Sequence, residues 1–268
     1  MQMFDNLPWY GYIIFIIAVA AYAYRYFSKF KEGYDEADLK TVKFKTSEAG
    51  NLTADQQFAV ALYAPLTEWY GADTNTLTFL NAKAANRYLQ RWRIDTREGY
   101  WDLTEYFMKQ GRRWYFDFIY KLVKNEPEEN WNDLMKGYFG ENERAERYLK
   151  NLKSDTILNT LKQKGLITFD SEMDVGIIGY DAATLVGQAR QAYTTGIITE
   201  DEAFKVLQFA KDLATTHFSS WEDFGKSFII GFAIDQSHRD AAFREEVYHL
   251  YKQVVAHPNS PWNTLIWP

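Results

Sequence analysis

The sequence predicts a mainly all-α protein, with one N-terminal transmembrane helix followed by a compact multi-helix soluble domain. Three observations carry this. Leu7 to Tyr24 is a run of 18 uncharged residues. Beyond it, capping residues recur ahead of apolar positions spaced three and four apart, the signature of amphipathic helices. No stretch shows the sustained alternation of a half-buried strand. Of the 268 residues, 47% are hydrophobic and 18% aromatic with only 6 Pro, which supports a large core and excludes general disorder. The net charge of -6 offers no excess of cations for phosphates, so nucleic acid is not an expected partner. With no cysteine, disulfides, thiolate metal sites and cysteine nucleophiles are all excluded.

Residues 1–28 read as a membrane anchor. As a helix, Leu7 to Tyr24 spans about 27 Å at roughly 1.5 Å per residue, close to the thickness of a hydrocarbon core. Trp9, Tyr10 and Tyr12 stand at one end and Tyr22, Tyr24 and Tyr26 at the other, where amphipathic rings favour the two interfaces. A cleaved signal peptide is the rival. Ala18-Val19-Ala20 offers it a small-residue site, but Asp5 and the lack of any preceding Lys or Arg speak against it. Arg25, Lys29, Lys31, Lys40 and Lys43 all follow the span, which predicts an external N-terminus and a cytoplasmic C-terminal domain in a bacterial inner membrane. Residues 29–52 are polar and aperiodic and read as a juxtamembrane tether, leaving residues 53–268 as the helical soluble domain.

Within that domain, Thr53 and Gln56 form a capping box ahead of a short helix that ends before Pro65. Leu77, Leu80, Ala84, Tyr88 and Trp92 form a second apolar stripe. Asp95 with Glu98 repeats the cap signature, and Gly111 ends that helix in the left-handed conformation. A helix follows over residues 112–124, then Pro127 breaks the chain and Asn130 caps a helix to Tyr138. One long polar helix is expected from Asn142 to Lys164, stopped by Gly165, with Glu143 and Arg147 on a solvated outer face. Leu166 to Val175 reads as irregular or short extended structure, and a helix then runs through Ala182 and Ala189 to Thr195 before Gly196. Thr199 with Glu202 and Ser220 with Asp223 open two further helices. A last helix covers residues 240–256, ended by Pro258.

Several short pieces recur in a fixed order. They are Tyr180-Asp181, Arg190, Tyr193, Gly196 through Glu202-Ala203, the run from Phe218 to Phe224, Gly231 and Ser260-Pro261-Trp262. Trp92-Arg93-Ile94-Asp95, Leu103 and Gly111 extend the series toward the N-terminus. In these the chain resembles the bacterial domain of unknown function 1266 family. The resemblance implies a bacterial helical domain and carries no established activity. The chain departs from that family's pattern at Thr184 and Phe232, where basic residues often stand.

The remaining constellations divide into excluded and open. Gly225-Lys226-Ser227 ends like a phosphate loop, but Ser220 holds the place of the required glycine. No Gly-x-Ser-x-Gly elbow and no His-Glu-x-x-His occurs. Asp170, Glu172, Asp174 and Asp181 have offsets similar to a calcium loop, yet Val175 replaces the turn glycine, so a solvated acidic loop is expected. His238 and His249 share a helix face three turns apart, about 16 Å, too far to ligate one ion. No metal and no cofactor are therefore expected. Asp181 and Arg190, nine residues apart on one predicted helix, are assigned to a common face as structural ion-paired groups or, alternatively, a ligand site. Trp221, Glu222 and Asp223 open the next helix as core anchor and cap, and Trp262 lies in an apolar tail that packs back or docks a partner. These six residues are the candidate ligand or partner site, and no catalytic residue is assigned. The expected function is a membrane-tethered, non-enzymatic interaction or accessory protein with a protein partner, of an immunity-like kind. An enzyme built on Asp181, Arg190, Glu222 or Asp223 is the alternative.

Overall fold

A computed structural model describes residues 39–268. The predicted membrane span, Leu7 to Tyr24, lies outside the described residues, as do residues 1–28 and the first part of the tether. Among the described residues all regular structure is helical, and no helix is long and apolar enough to cross a membrane.

The helices are α1 (Ala54–Ala61), α2 (Ala64–Tyr70), α3 (Ala82–Arg91), α4 (Arg97–Lys109), α5 (Arg113–Asn125), α6 (Trp131–Phe139) and α7 (Glu143–Lys153). They continue as α8 (Thr156–Gln163), α9 (Ile178–Thr194), α10 (Glu200–His217), α11 (Trp221–Asp235), α12 (Ala241–Ala256) and the single turn α13 (Pro261–Thr264). Local chemistry sets most boundaries. Thr53 and Thr199 make full capping boxes with Gln56 and Glu202, and the Ser220 hydroxyl accepts the Asp223 N–H. Gly165 and Gly196 end helices at φ of 63° and 76°.

Four expectations shift. The stripe begun at Leu77 becomes a helix only at Ala82, because the Asn81 side chain accepts the Ala84 N–H and leaves Leu77 and Leu80 in the preceding loop. The cap of α4 is Thr96 and not Asp95, its hydroxyl accepting the Gly99 N–H. Asn130 ends a short 3-10 turn and makes no side-chain cap. The long polar helix is two helices, broken at Asp155, which takes the left-handed conformation at φ 50°.

The compact unit runs from Lys40 to Pro268. Val42 N–H donates to Gln253 Oε1 at 2.9 Å, Lys43 N–H to Glu68 Oε2 at 2.7 Å, and Ser47 N–H to Asn75 Oδ1 at 2.8 Å. The described part of the tether is thereby bound to α2, α12 and the loop after α2.

Helix α9 is the axis of the domain. Every residue from Gly179 to Ala192 is buried, as a helix enclosed on all sides requires. It packs on α10, α11 and α3. Against α11 the backbones approach so closely that a Cβ on Gly231 would lie 2.4 Å from Tyr180 Cβ, which only glycine avoids. Ser227 locks the same crossing, accepting the Gly179 N–H at 2.9 Å and donating to the Gly176 carbonyl at 3.0 Å. That crossing sets where Tyr180 and Thr184 of α9 and Phe232 and Asp235 of α11 face the open space beside them.

Candidate functional site

The open space is a cleft of about 640 Å³, within the range of small-molecule sites. Five arginines line it, Arg91, Arg112, Arg144, Arg147 and Arg239, against only two acids, Asp235 and Asp240. In a chain of net charge -6, this is a local reversal of sign. Aromatic rings also line it: Tyr70 meets Tyr88 at 5.8 Å, Tyr88 meets Trp92 at 6.2 Å, and Trp69 meets Phe243 at 4.8 Å.

The floor is a closed network. Arg112 Nε lies 2.9 Å from Asp235 Oδ1, and both side chains are buried. Tyr148 donates to Asp235 Oδ1 at 3.2 Å, while Tyr180 and the Gln236 amide reach Oδ2 at 3.3 and 2.7 Å. The Arg112 guanidinium also stacks over Trp92 at 4.6 Å and Phe107 at 5.0 Å. Burial pulls the Asp235 carboxyl up, but Arg112, Arg144 and Arg147 outweigh it and hold it below the usual range.

Arg112 owes its place to Asp181. The Asp181 carboxylate reaches across from α9 and accepts the backbone N–H of Arg112 and of Arg113, each at 3.0 Å, capping α5, which has no cap of its own. Arg113 Nη1 adds an ion pair at 3.1 Å. Gly111 makes room at φ 65°: a Cβ there would lie 2.1 Å from Asp181 Oδ2. Despite these donors, full burial leaves the Asp181 carboxyl raised above its ordinary range.

Above the floor stand the arginines without an acid. Among the described residues the arginine ion pairs are those of Arg97, Arg112 and Arg113, and Arg91, Arg144, Arg147 and Arg239 form none. The Nε–H groups of Arg144 and Arg147 are buried and unpaired. Asn151 pins α7 beneath them, donating to the Ile234 carbonyl at 3.0 Å and to Ser237 at 2.7 Å. Burial, Arg147 and Arg239 hold the His238 imidazole below its usual pKa, against the pull of Asp235. Arg239 also acts on Tyr70 and Tyr88, so its charge reaches both the basic and the aromatic wall.

None of the six sequence-predicted site residues lines this cleft. Asp181 acts on it only through Arg112. Asp181 and Arg190 do not share a face, since nine residues at about 100° each amount to two and a half turns. Arg190 is buried on the other side of α9, donating to Thr67 Oγ1 and to the carbonyls of Asp73, Thr76 and Thr78 at 2.6–3.3 Å. Burial brings its pKa down to about 10. Trp221 and Trp262 stack at 5.6 Å in a cluster with Phe58 and Trp267, and their indole N–H groups donate to the Leu265 and Ala61 carbonyls. This packs the C-terminal tail onto α1 and α11. Glu222 pairs with Lys226, and the Asp223 N–H donates to Ser220. The acidic loop separates into three unrelated pairs, Asp170 with Lys162, Glu172 with Lys226 and Asp174 with Lys124. Among the described residues no group of three or more His, Asp or Glu is placed to hold a metal ion.

Arg144 and Arg147 are what sequence reasoning missed. Glu143 and Arg147 have the spacing of a solvated pair, but Arg147 turns into the cleft instead. The available signal was Arg144 and Arg147, one turn apart beside Tyr148.

A family sequence model described as "Protein of unknown function (DUF1266)" matches residues 89–267, about two thirds of the chain. No curated protein and no solved structure matches it. All five cleft arginines fall within the matched residues, whereas Tyr63, Trp69, Tyr70 and Tyr88 precede them. Thr184 and Phe232, the two departures from the family pattern, both line the cleft.

Proposed function

The chain belongs to this DUF1266 family, and from the cleft its residues build we propose that it is a non-catalytic binding protein, tethered to a bacterial inner membrane, whose cytoplasmic helical domain receives an anionic ligand. One observation carries the ligand: Arg91, Arg144, Arg147 and Arg239 converge on a cleft and form no ion pair among the described residues, against two lining acids of which Asp235 is already paired with Arg112. Clustered guanidinium groups repel one another, and an anion that accepts their forked N–H groups relieves that repulsion. The tether is supported by the sequence, through the uncharged run from Leu7 to Tyr24 and the basic residues after it. A binding role fits the cleft better than catalysis on Asp181 or Arg190, because both are sealed in the core. The one buried acid of the cleft, Asp235, has both oxygens occupied. A protein partner, as an accessory or immunity-like role requires, is supported by α6. There Leu134 and Tyr138 are exposed at 42% and 50%, and Tyr138 stacks on Phe118 at 4.0 Å.

Titration of the detergent-solubilised full chain with inorganic pyrophosphate, followed by tryptophan fluorescence or calorimetry, tests the anion reading. Saturable binding that weakens with added salt and disappears in the R144Q/R147Q double variant is expected. Binding unchanged in that variant, or none at all at low ionic strength, overturns it.

A further inference from the structure

The cleft has two walls of different chemistry, and a ligand that uses only one leaves the other without a partner. We infer that its ligand is a nucleotide-class molecule, a phosphorylated compound whose phosphate lies on Arg144, Arg147 and Arg239 and whose planar ring lies against Tyr70, Tyr88 and Trp92. This rests on the anion-binding reading of the same cleft.

Three observations specify the class. The cations are all arginine, with no lysine in the lining, and the planar guanidinium fork matches the paired oxygens of a phosphate in a way a point charge does not. Arg144 and Arg147 stand one turn apart on α7, both line the cleft, and neither forms an ion pair among the described residues, so two guanidinium forks are free for one polyvalent anion. The aromatic series is continuous from Tyr70 through Tyr88 to Trp92, and it meets the arginines where the Arg112 guanidinium stacks over Trp92 at 4.6 Å. Rings of this kind bind planar bases by stacking, irrespective of base identity.

The same features exclude a polymer. A nucleic-acid strand needs cations tracking its backbone over many phosphates, whereas here the five clustered arginines share one cleft of about 640 Å³ in an acidic protein. A single nucleotide is the unit that fits.

The test compares ligands on the unaltered full chain in detergent, so it does not depend on a variant that folds. Calorimetry is run with pyrophosphate, adenosine, inositol trisphosphate and the adenine, guanine, cytosine and uracil nucleoside diphosphates. At least one nucleoside diphosphate is expected to bind about tenfold or more tighter than pyrophosphate, with adenosine weaker still. W92L, which also removes the ring beneath Arg112, should weaken that nucleotide more than it weakens pyrophosphate. If pyrophosphate or inositol trisphosphate binds as tightly as every nucleotide, the ring wall is unused and this inference fails while the anion reading stands. If no phosphorylated probe binds, the anion reading fails as well.

Discussion

Arg190 and Arg147 bring the same guanidinium into the same domain and meet opposite surroundings. Arg190 is wholly enclosed, and its terminal nitrogens are taken up by a hydroxyl and three backbone carbonyls of the Asp73–Thr78 loop. Arg147 lines a cleft and forms no ion pair, and although the Nε–H of both arginines is buried and unpaired, only Arg190 has acceptors for its terminal nitrogens. The enclosed arginine ties an otherwise irregular loop to α9, and the half-open one holds a charge in readiness. Burial therefore does not separate structural from binding charge here. What separates them is whether the chain already supplies the partners.

The sharpest test of that contrast is Arg190→Met. It keeps the volume and removes the donors, leaving three carbonyls and a hydroxyl unpaired in the core. Relief of the buried charge offsets part of the cost, and a net loss on the order of 3 kcal/mol is expected, or roughly 6–12 °C in melting temperature. Denaturant unfolding followed by circular dichroism checks it. A loss below about 1 kcal/mol would mean the loop is held by other contacts and would dissolve the comparison.

The converse substitution, R144Q/R147Q, removes charges that form no ion pair and act on Asp235 only from beyond contact. Stability should change by no more than about 1 kcal/mol, because Arg112 remains as the ion-paired partner of Asp235. The same variant should lose anion binding. A stability loss above about 2 kcal/mol would place these residues with Arg190 as structural groups.

The contrast also explains what could be read in the sequence. Caps at Thr53, Thr199 and Ser220 and stops at Gly165 and Gly196 were legible because the donor and acceptor lie within four residues of each other. The family was legible from the order of short pieces. Asp155 was not, since a left-handed aspartate leaves no mark that glycine would have left. The cleft was least legible of all. Its walls come from Tyr63 through Phe243, and whether Arg147 pairs with Glu143 or faces a cavity depends on α11 lying across it. Asp181 was identified as a charge needing a partner, but the partner is the start of α5, nearly 70 residues away.

The smallest effect concerns a charge treated in a third way, partly buried and paired. Glu172 lies in the turn before α9. Partial burial pulls its carboxyl up, but Lys226 and the N–H groups of Phe169 and Thr168 prevail and hold it down to about 2. Unfolded, it returns to its ordinary 4.5. A carboxyl whose folded pKa is depressed contributes stability above its unfolded pKa and loses it as pH falls toward the folded one, so the window runs from about 4.5 down to about 2. Solvent screening limits the contribution to about 1 kcal/mol or less. E172Q should therefore be slightly less stable than the parent at neutral pH, and the gap should close through that window and shrink in high salt. A gap that persists unchanged at pH 2 would mean Glu172 acts through packing of the turn. The acid-lysine pairs would then belong with Arg190 among the structural groups.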